Sequence, residues 1–284
     1  MSSRSSPLIV GFPLFDDLTI IDLIGAVEVF SNTKGYFQPV LFAPEIRPYR
    51  TCVNTVANHP ICITPQFTFD DPNRPKIDIL FAIGGLAGCA PPLANCRSTF
   101  SSCADLNNQS GFVGAMFDSV YQDFILQVAA EEATWVGSVC AGAFILAAAG
   151  LYDGCTVTTY WSLVEQFRRL PNITVPEGYP RVLIQEFEVE GITKRRFSGG
   201  GDSSSIDLGL ALVKQIAGEE IAAYAQLVIQ YAPNPIINYG DPINASQGMV
   251  GESPLVTGMR MDHEEMIDVA AEAIEILLQK LSKT

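Results

Sequence analysis

Nearly continuous apolar runs alternate with segments of helical periodicity along the first half of the chain. The runs at 7–15, 37–44, 76–85 and 133–140 are bounded by Gly, Pro or charged residues, which predicts four buried β-strands. After the first run, DDLTIIDLIGAVEVFSNT has acidic residues early and apolar residues at helical spacing, so a helix is predicted to begin within it. Strands that are apolar on both faces and alternate with helices predict an α/β fold with a mostly parallel sheet covered on both sides.

The second half of the chain predicts two further strands and three helices. Residues 181–201 contain two strand-like runs that meet at Glu190 and Gly191. SSIDLGLALVKQIAG, over residues 204–218, predicts a helix with a serine as candidate N-cap and a glycine as its stop. EEIAAYAQLVIQYAPNP predicts a helix that ends near Pro233, and the amphipathic MDHEEMIDVAAEAIEILLQKL is interpreted as a packing helix.

Between residues 86 and 131 the periodicity breaks. This stretch follows the third predicted strand and mixes Pro, Ser, Asn, Gly and three cysteines. An excursion of this length is either a functional lid or a poorly ordered loop. The chain contains no internal repeat, so we predict one domain over residues 1–284, with this insert and a C-terminal helical tail over about 241–284.

Composition and charge narrow the possible partners. The 284 residues are 48% apolar and 17% charged, which is typical of a compact globular protein. A net charge of −14 without any basic block repels phosphate backbones, so nucleic acid is excluded as a partner. No apolar run reaches membrane-spanning length, and the N-terminal MSSRSSPLIVGF lacks the long apolar region of a secretion signal, so no membrane association is predicted.

The cysteines do not form a disulfide or zinc pattern. Seven are scattered through the chain, no CxxC pair occurs, and only two histidines are present. A disulfide scaffold and a structural zinc site are therefore both disfavoured. We predict reduced thiols, a cytoplasmic location, and neither a metal nor a cofactor.

The fourth predicted strand ends at Cys140, and SVCAGAFILAAAG places small residues on both sides of this cysteine. A strand, a tight turn with one nucleophile and a helix of small residues make the pattern of a nucleophile elbow. The turn is predicted to hold Cys140 strained and exposed at the carboxyl edge of the sheet, where open parallel sheets bind ligands. We expect the helix N-terminus to stabilise a thiolate, and thiols so placed have a pKa of about 3.5 to 7.5. The alternative, a small buried apolar residue, suits the other cysteines better.

A carboxylate is better placed than a histidine to be the partner of this thiol. His59 lies in a predicted loop and His263 in the tail helix, so neither is near a strand end. Asp22 follows the first strand closely enough to reach the same edge of the sheet. Because its neighbours are Ile and Leu, it is equally well interpreted as a helix cap or as a site residue.

Glycines close two of the predicted strands. Gly84 and Gly85 end the third strand, where their amides either face a developing anion beside the thiol or form a simple tight turn. SGGGDSSSID, over residues 198–207, lacks the lysine of a phosphate-binding Walker motif. We interpret this segment, which includes Gly200, as a close-packing turn next to the site.

Four segments together resemble the PfpI/ThiJ superfamily, a class I glutamine amidotransferase-like group: SVCAGAFILAAAGLYDGCTVTTYW, GFPLFDDLTIIDLIGAVEVF, GGGDSSSIDLGLAL and QLVIQYAPNP. Within it they are most similar to the isocyanide (isonitrile) hydratase branch. The resemblance covers most of the chain in the same order, except for about 89–114 and the tail after 240. It implies a flavodoxin-like three-layer α/β sandwich that forms a homodimer.

The resemblance also implies residue roles, with Cys140 as the nucleophile and Asp22 as the acid that orients it. Two positions depart from the hydratase branch. Ala141 stands where a threonine is frequent, which removes a hydroxyl, and Tyr160 stands where a histidine is usual, which replaces an acid–base group by an aromatic wall. We expect catalysis from Cys140 and Asp22, and substrate contacts from Gly84, Gly85, Ala141, Tyr160 and Gly200.

The implied activity is the hydration of an isocyanide or a related small electrophilic metabolite. The thiolate would attack the terminal carbon of R–N≡C, Asp22 would supply a proton, and water would release an N-formamide. A relative specialised for a biosynthetic-pathway substrate is a variant of this hypothesis. The alternatives are a non-catalytic thiol sensor of redox state or ligands and a glyoxalase-type hydratase. The sensor form is disfavoured in its DNA-binding version, because the residues after Tyr231 are acidic on balance.

Overall fold

The computed structural model describes residues 6–52, 61–88, 110–189, 191–237, 240–243 and 254–282. Within these residues the strands are β1 Leu8–Pro13, β2 Phe37–Ala43, β3 Tyr49–Arg50, β4 Cys62–Ile63, β5 Phe67–Thr68, β6 Ile79–Ala82, β7 Trp135–Val139, β8 Val182–Val189 and β9 Ile192–Gly199. Seven of them form one sheet in the order β5-β2-β1-β6-β7-β9-β8, and β3 pairs with β4 separately. Every neighbouring pair in the large sheet is parallel except β8 with β9.

The centre of the sheet is buried on both faces. Every residue of β6 and β7 is buried, as are all but one of β1. The predicted α/β fold with a mostly parallel sheet is therefore confirmed, and the six predicted strands are all present. Sequence reasoning missed β3, β4 and β5, because two residues are too few to show a period of two.

The helices form two groups that contact the sheet. They are α1 Ile20–Ser31, α2 Gly111–Phe117, α3 Ser119–Glu131, α4 Gly142–Ala148, α5 Val164–Phe167, α6 Ser204–Ala217, α7 Glu219–Val228 and α8 Pro254–Leu281. In one group α1 packs on α6 and α7, and in the other α2 packs on α3, α4 and α8. The predicted glycine stop is Gly218, which follows α6 with a φ of +92°. The predicted serine cap is not formed by a side-chain hydrogen bond, and α7 ends at Val228, before the expected Pro233.

The predicted excursion at 86–131 is regular over its second part. The expectation of a lid or a loop is wrong from Gly111 onward, where α2 and α3 follow each other. All residues of α2 except Phe117 are buried, so this helix has no polar face and its sequence shows no amphipathic period. The earlier part, with Cys89, Cys96 and Cys103, lies outside the described residues.

The tail helix α8 packs against the body of the protein, as predicted. Its side chains at Ala270, Ala273, Ile274 and Leu277 are buried, and the helix contacts α2 and α5. Spacings of three and four residues put these side chains on one helical face. Within the described residues, no helix combines the length and the apolar character needed to cross a bilayer.

Candidate active site

Cys140 lies in a strained turn between β7 and α4. Its φ is +55°, a left-handed value that is rare for residues other than glycine. Its backbone N–H points back to the end of β9, at 3.1 Å from the oxygen of Gly199 and 2.8 Å from that of Gly200. A Cβ at Gly142 would lie 2.6 Å from the Ala82 oxygen, so only glycine lets α4 start this close to β6. The strand, the tight turn and the helix of the predicted elbow are therefore present.

The prediction that Cys140 is exposed is wrong, since the residue is only 4% accessible. Burial raises the pKa of the Cys140 thiol, and the negative charges of Asp22 and Asp202 raise it further. The amides of Ala141 and Asp202 act in the opposite direction but are outweighed. The prediction that the helix N-terminus lowers the pKa of this thiol is thus also wrong, because burial and a second carboxylate raise it.

Asp22 lies in the first turn of α1 and is fully buried. Its Oδ2 accepts a hydrogen bond from the Gly84 amide at 3.0 Å, while its Oδ1 has no hydrogen-bond partner. The side chain therefore reaches across to the end of β6 instead of capping its own helix. Burial, with the negative charge of Asp202, raises the pKa of Asp22 well above its usual value. A negative charge on either group is thus disfavoured by burial and by the other group's charge, so Asp22 and Cys140 compete for one proton and titrate as a pair.

Asp202 is a third titratable group at the site, and sequence reasoning missed it. Its Oδ1 lies 4.0 Å from the Sγ of Cys140, and the two carboxyl groups and the thiol have atoms all within 4.8 Å of one another. Asp202 is exposed and has a φ of +43°, which turns its own amide towards the thiol. The available signal was an acid that follows three glycines between a strand and a helix.

The same three groups have a spacing that a metal ion could bridge. Two carboxylates and a thiolate mix hard and soft ligands, and all three are also suited to proton transfer. No ion is needed to account for their arrangement, because the elbow and the turn at Asp202 position the side chains by backbone geometry. We therefore interpret the cluster as a proton-transfer site.

The predicted glycines occupy different places around the thiol. A Cβ at Gly84 would lie 2.8 Å from both Asp22 Oδ2 and the Cys140 Cβ, so Gly84 separates the acid from the elbow. Gly85 instead lies against Asp17 and Leu18, one residue further along the chain. The carbonyl oxygen of Gly200 accepts a hydrogen bond from the Cys140 amide. Of these three glycines, Gly84 is thus the one that lies directly against both Asp22 and Cys140.

Tyr160 and Ala141 flank the thiol as predicted neighbours. Ala141 is buried directly after the cysteine, and its amide faces the thiol. Tyr160 is half-buried, and its ring covers Gly201 in the turn that carries Asp202. Burial raises the pKa of the Tyr160 hydroxyl, and the nearby Cys140 raises it further, so this group stays protonated at neutral pH. Its ring centroid is 5.9 Å from that of Trp161, which extends the aromatic wall.

Buried hydroxyl groups behind the elbow hold its strand in register. The Tyr152 hydroxyl lies 2.7 Å from the Ser138 Oγ and donates to the Phe197 oxygen at 2.7 Å, which ties β7 to β9. The Thr159 Oγ1 donates to the Cys140 oxygen at 2.9 Å. Satisfied buried networks rigidify the groups they join. Sequence reasoning did not identify these supports, because each depends on a contact between distant segments.

The fold and the site define a class: an α/β sandwich with a buried cysteine at a strained elbow and a buried acid beside it. Residues 118–182 match the model of the DJ-1/PfpI family. The predicted resemblance to the PfpI/ThiJ superfamily is therefore confirmed over this segment, which is less than half of the chain.

Similar proteins include both an enzyme and a regulator. The chain is 28% identical to the isonitrile hydratase of Pseudomonas putida over 247 residues, which are 86% of this chain and 87% of that protein. It is 25% identical to the HTH-type transcriptional regulator GbdR of Pseudomonas aeruginosa over 77% of this chain and 49% of the regulator.

A solved ThiJ/PfpI family protein from Pseudomonas syringae has a similar fold. It matches with a TM-score of 0.65 at 23% identity, covering 93% of this chain and 91% of that one. The predicted flavodoxin-like sandwich is confirmed by this similarity together with the sheet order described above.

Proposed function

We propose that this protein is a cysteine-dependent hydratase that converts an isocyanide, or a related small electrophile, into an N-formamide-type product. The observation that carries the proposal is the pairing of Cys140 with Asp22 at a strained turn, with sulfur and carboxyl oxygen within 4.8 Å. Strain of this kind is kept where surrounding structure enforces it, and it clusters at active sites. The similarity to an isonitrile hydratase over most of both chains supports the choice of substrate class.

In the first half of the reaction, the thiol proton moves to the Asp22 carboxylate as Cys140 Sγ attacks the terminal carbon of R–N≡C. Asp22 then gives that proton to the same carbon, which leaves the thioimidate R–N=CH–S attached to the protein. The raised pKa of Asp22 suits both steps, because a buried carboxyl holds the proton readily and releases it to a strongly basic carbon.

In the second half, water adds to the thioimidate carbon. One water proton ends on nitrogen, the C–S bond breaks, and R–NH–CHO leaves while the thiol is restored. The neighbours have proposed roles in this sequence. Tyr160 and Trp161 form the wall that contacts the substituent R, and Gly84, Gly85, Gly200 and Ala141 keep side chains out of the space at the sulfur.

Steady-state turnover of an aryl and an alkyl isocyanide tests this proposal. We expect the wild type to form the N-formamide, Cys140→Ala to be inactive, and Asp22→Asn to lose at least 100-fold in turnover. Cys62→Ser is the matched control, since Cys62 is an exposed cysteine on β4 that forms no disulfide, and it is expected to retain wild-type activity. Absence of turnover by the wild type would exclude this substrate class, and an active Cys140→Ala variant would exclude the mechanism.

A second candidate function is that of a thiol sensor, which the match to part of a transcriptional regulator favours. Reversible oxidation requires an accessible thiolate. Burial of Cys140 and its raised pKa both oppose this, so we place the enzyme first. Mild peroxide followed by peptide mass spectrometry separates the two, because a sensor oxidises fast and selectively at Cys140 and turns over no substrate.

We also propose that the protein is a cytoplasmic homodimer. The described cysteines Cys52, Cys62, Cys140 and Cys155 form no disulfide, which suits a reducing compartment. Helices α1 and α7 leave large apolar side chains exposed, among them Ile24, Leu227 and Val228 at 40%, 77% and 47%. A second copy is the occupant that would cover them. Light scattering of the purified protein tests this, with a monomer mass as the contrary result.

A further inference from the structure

The carboxyl group of Asp202 is a second carboxyl group within reach of the reacting sulfur, and the first half of the reaction does not use it. We propose that Asp202 is the general base of the second, hydrolytic half. This inference rests on the proposed hydratase function and assigns a catalytic role that the sequence did not suggest.

The two carboxyl groups beside the thiol lie in contrasting environments. Asp22 is fully buried and tied to the Gly84 amide, whereas Asp202 is exposed. Environments that differ in this way separate acid and base roles between two carboxyl groups. Solvent therefore contacts Asp202, whereas Asp22 is closed off from solvent. The exposed carboxyl group is thus the one that meets an incoming water molecule.

The distance between Asp202 and the sulfur supports the same role. With Oδ1 4.0 Å from Sγ, a water molecule hydrogen-bonded to Oδ1 lies beside a carbon bonded to Sγ. A carboxylate can abstract a proton from a reacting water molecule at hydrogen-bonding distance. Asp202 also presents its backbone amide to the same thiol, and its left-handed φ of +43° is kept only where the surrounding structure enforces it.

In the hydrolytic half, each proton and electron pair passes between groups of the substrate, water and the two carboxyl groups. As the water oxygen bonds to the thioimidate carbon, Asp202 takes one water proton and passes it to the imine nitrogen. The C–S bond then breaks, its electron pair returns to Sγ, and the hydroxyl proton moves to the Asp22 carboxylate. R–NH–CHO leaves, Asp202 is again ionised, and the proton shared by Asp22 and Cys140 is restored.

The test is the variant Asp202→Asn with an aryl isocyanide as the probe. We expect kcat to fall about 100-fold, which is within the range of general-base catalysis. The first half needs only Cys140 and Asp22, so the variant should accumulate a protein adduct with the mass of one isocyanide on the Cys140 peptide. Asp207→Asn is the control for the loss of one charge on the same segment. Asp207 accepts hydrogen bonds from Arg181 and Tyr231 and makes none with the thiol.

Chemical rescue separates a base from a structural residue. Hydroxylamine attacks a thioimidate without a general base and releases R–N=CH–NHOH, so it should restore turnover of Asp202→Asn and clear the adduct. Turnover of the variant within threefold of the wild type, or its loss without an adduct, would overturn the role of Asp202 and leave the hydratase proposal intact. If the wild type formed neither formamide nor adduct, the hydratase proposal itself would be overturned.

Discussion

Replacing Asp202 by Asn is expected to lower the pKa of the Cys140 thiol in the absence of any substrate. The negative charge of Asp202 disfavours ionisation of a thiol whose Sγ lies 4.0 Å from Oδ1. The asparagine removes this charge while keeping the size of the side chain and the backbone amide that faces the thiol. The direction of the change therefore depends on the carboxylate alone.

The magnitude follows from the distance. Two unit charges about 4 Å apart interact by roughly 1 kcal/mol in bulk water and roughly 4 kcal/mol at an effective dielectric constant of about 20. Asp202 is exposed, so the lower figure applies. Since about 1.4 kcal/mol corresponds to one pH unit, the pH midpoint of thiolate formation is expected to fall by about 0.7 unit, and by less at high salt.

The assay is the rate of iodoacetamide labelling at the Cys140 peptide between pH 6 and pH 11, followed by mass spectrometry. Labelling reports the thiolate, and the peptide readout separates Cys140 from the exposed Cys62. Asp207→Asn serves as the charge control and should leave the midpoint unchanged. A midpoint for Asp202→Asn that equals or exceeds the wild-type value would refute the placement of this carboxylate against the thiol.

Three further predictions follow from the site geometry. Gly84→Ala puts a Cβ 2.8 Å from Asp22 Oδ2 and from the Cys140 Cβ, so it should abolish turnover and cost about 1–3 kcal/mol of unfolding free energy, as measured by urea denaturation. Cys140→Gly should stabilise the inactive protein by about 1 kcal/mol, because it relieves the left-handed strain at φ +55°; an unchanged or lower stability would contradict this. Asp22→Asn should stabilise the protein more at pH 8 than at pH 5. Because the pKa of Asp22 is raised in the folded protein, its contribution to the free energy of unfolding is complete below the unfolded pKa of 3.8 and is lost as the pH rises towards the folded pKa. An equal gain in unfolding free energy from Asp22→Asn at pH 5 and pH 8 would argue against a raised pKa.

The parts of the fold that sequence alone predicted are those in which one local pattern decides the structure. β1, β6 and β7 are buried on both faces and therefore read as continuous apolar runs. The elbow at Cys140 was predictable for a related reason, since small residues on both sides of a nucleophile are needed for a tight turn. By contrast, α2 is apolar on nearly every side and could not be separated from an irregular segment by periodicity.

The electrostatics of the site depend on contacts that no local pattern records. Asp22 was equally consistent with a helix cap, and only its hydrogen bond to Gly84, 62 residues away, removes that alternative. The exposure of Cys140 was predicted wrongly because burial is set by β9, α1 and the turn at Asp202 together. Asp202 itself looked like part of a packing turn, and its proximity to the thiol follows from the pairing of β9 with β7.

In the proposed function, Cys140, assisted by Asp22, forms a covalent adduct with the terminal carbon of an isocyanide and releases it as a formamide. Its most direct test is rapid-quench mass spectrometry of the wild type with an aryl isocyanide in water enriched in ¹⁸O. We expect a transient adduct on the Cys140 peptide and one ¹⁸O atom in each formamide released. Formamide production without that adduct, or equal production by Cys140→Ala, would contradict it.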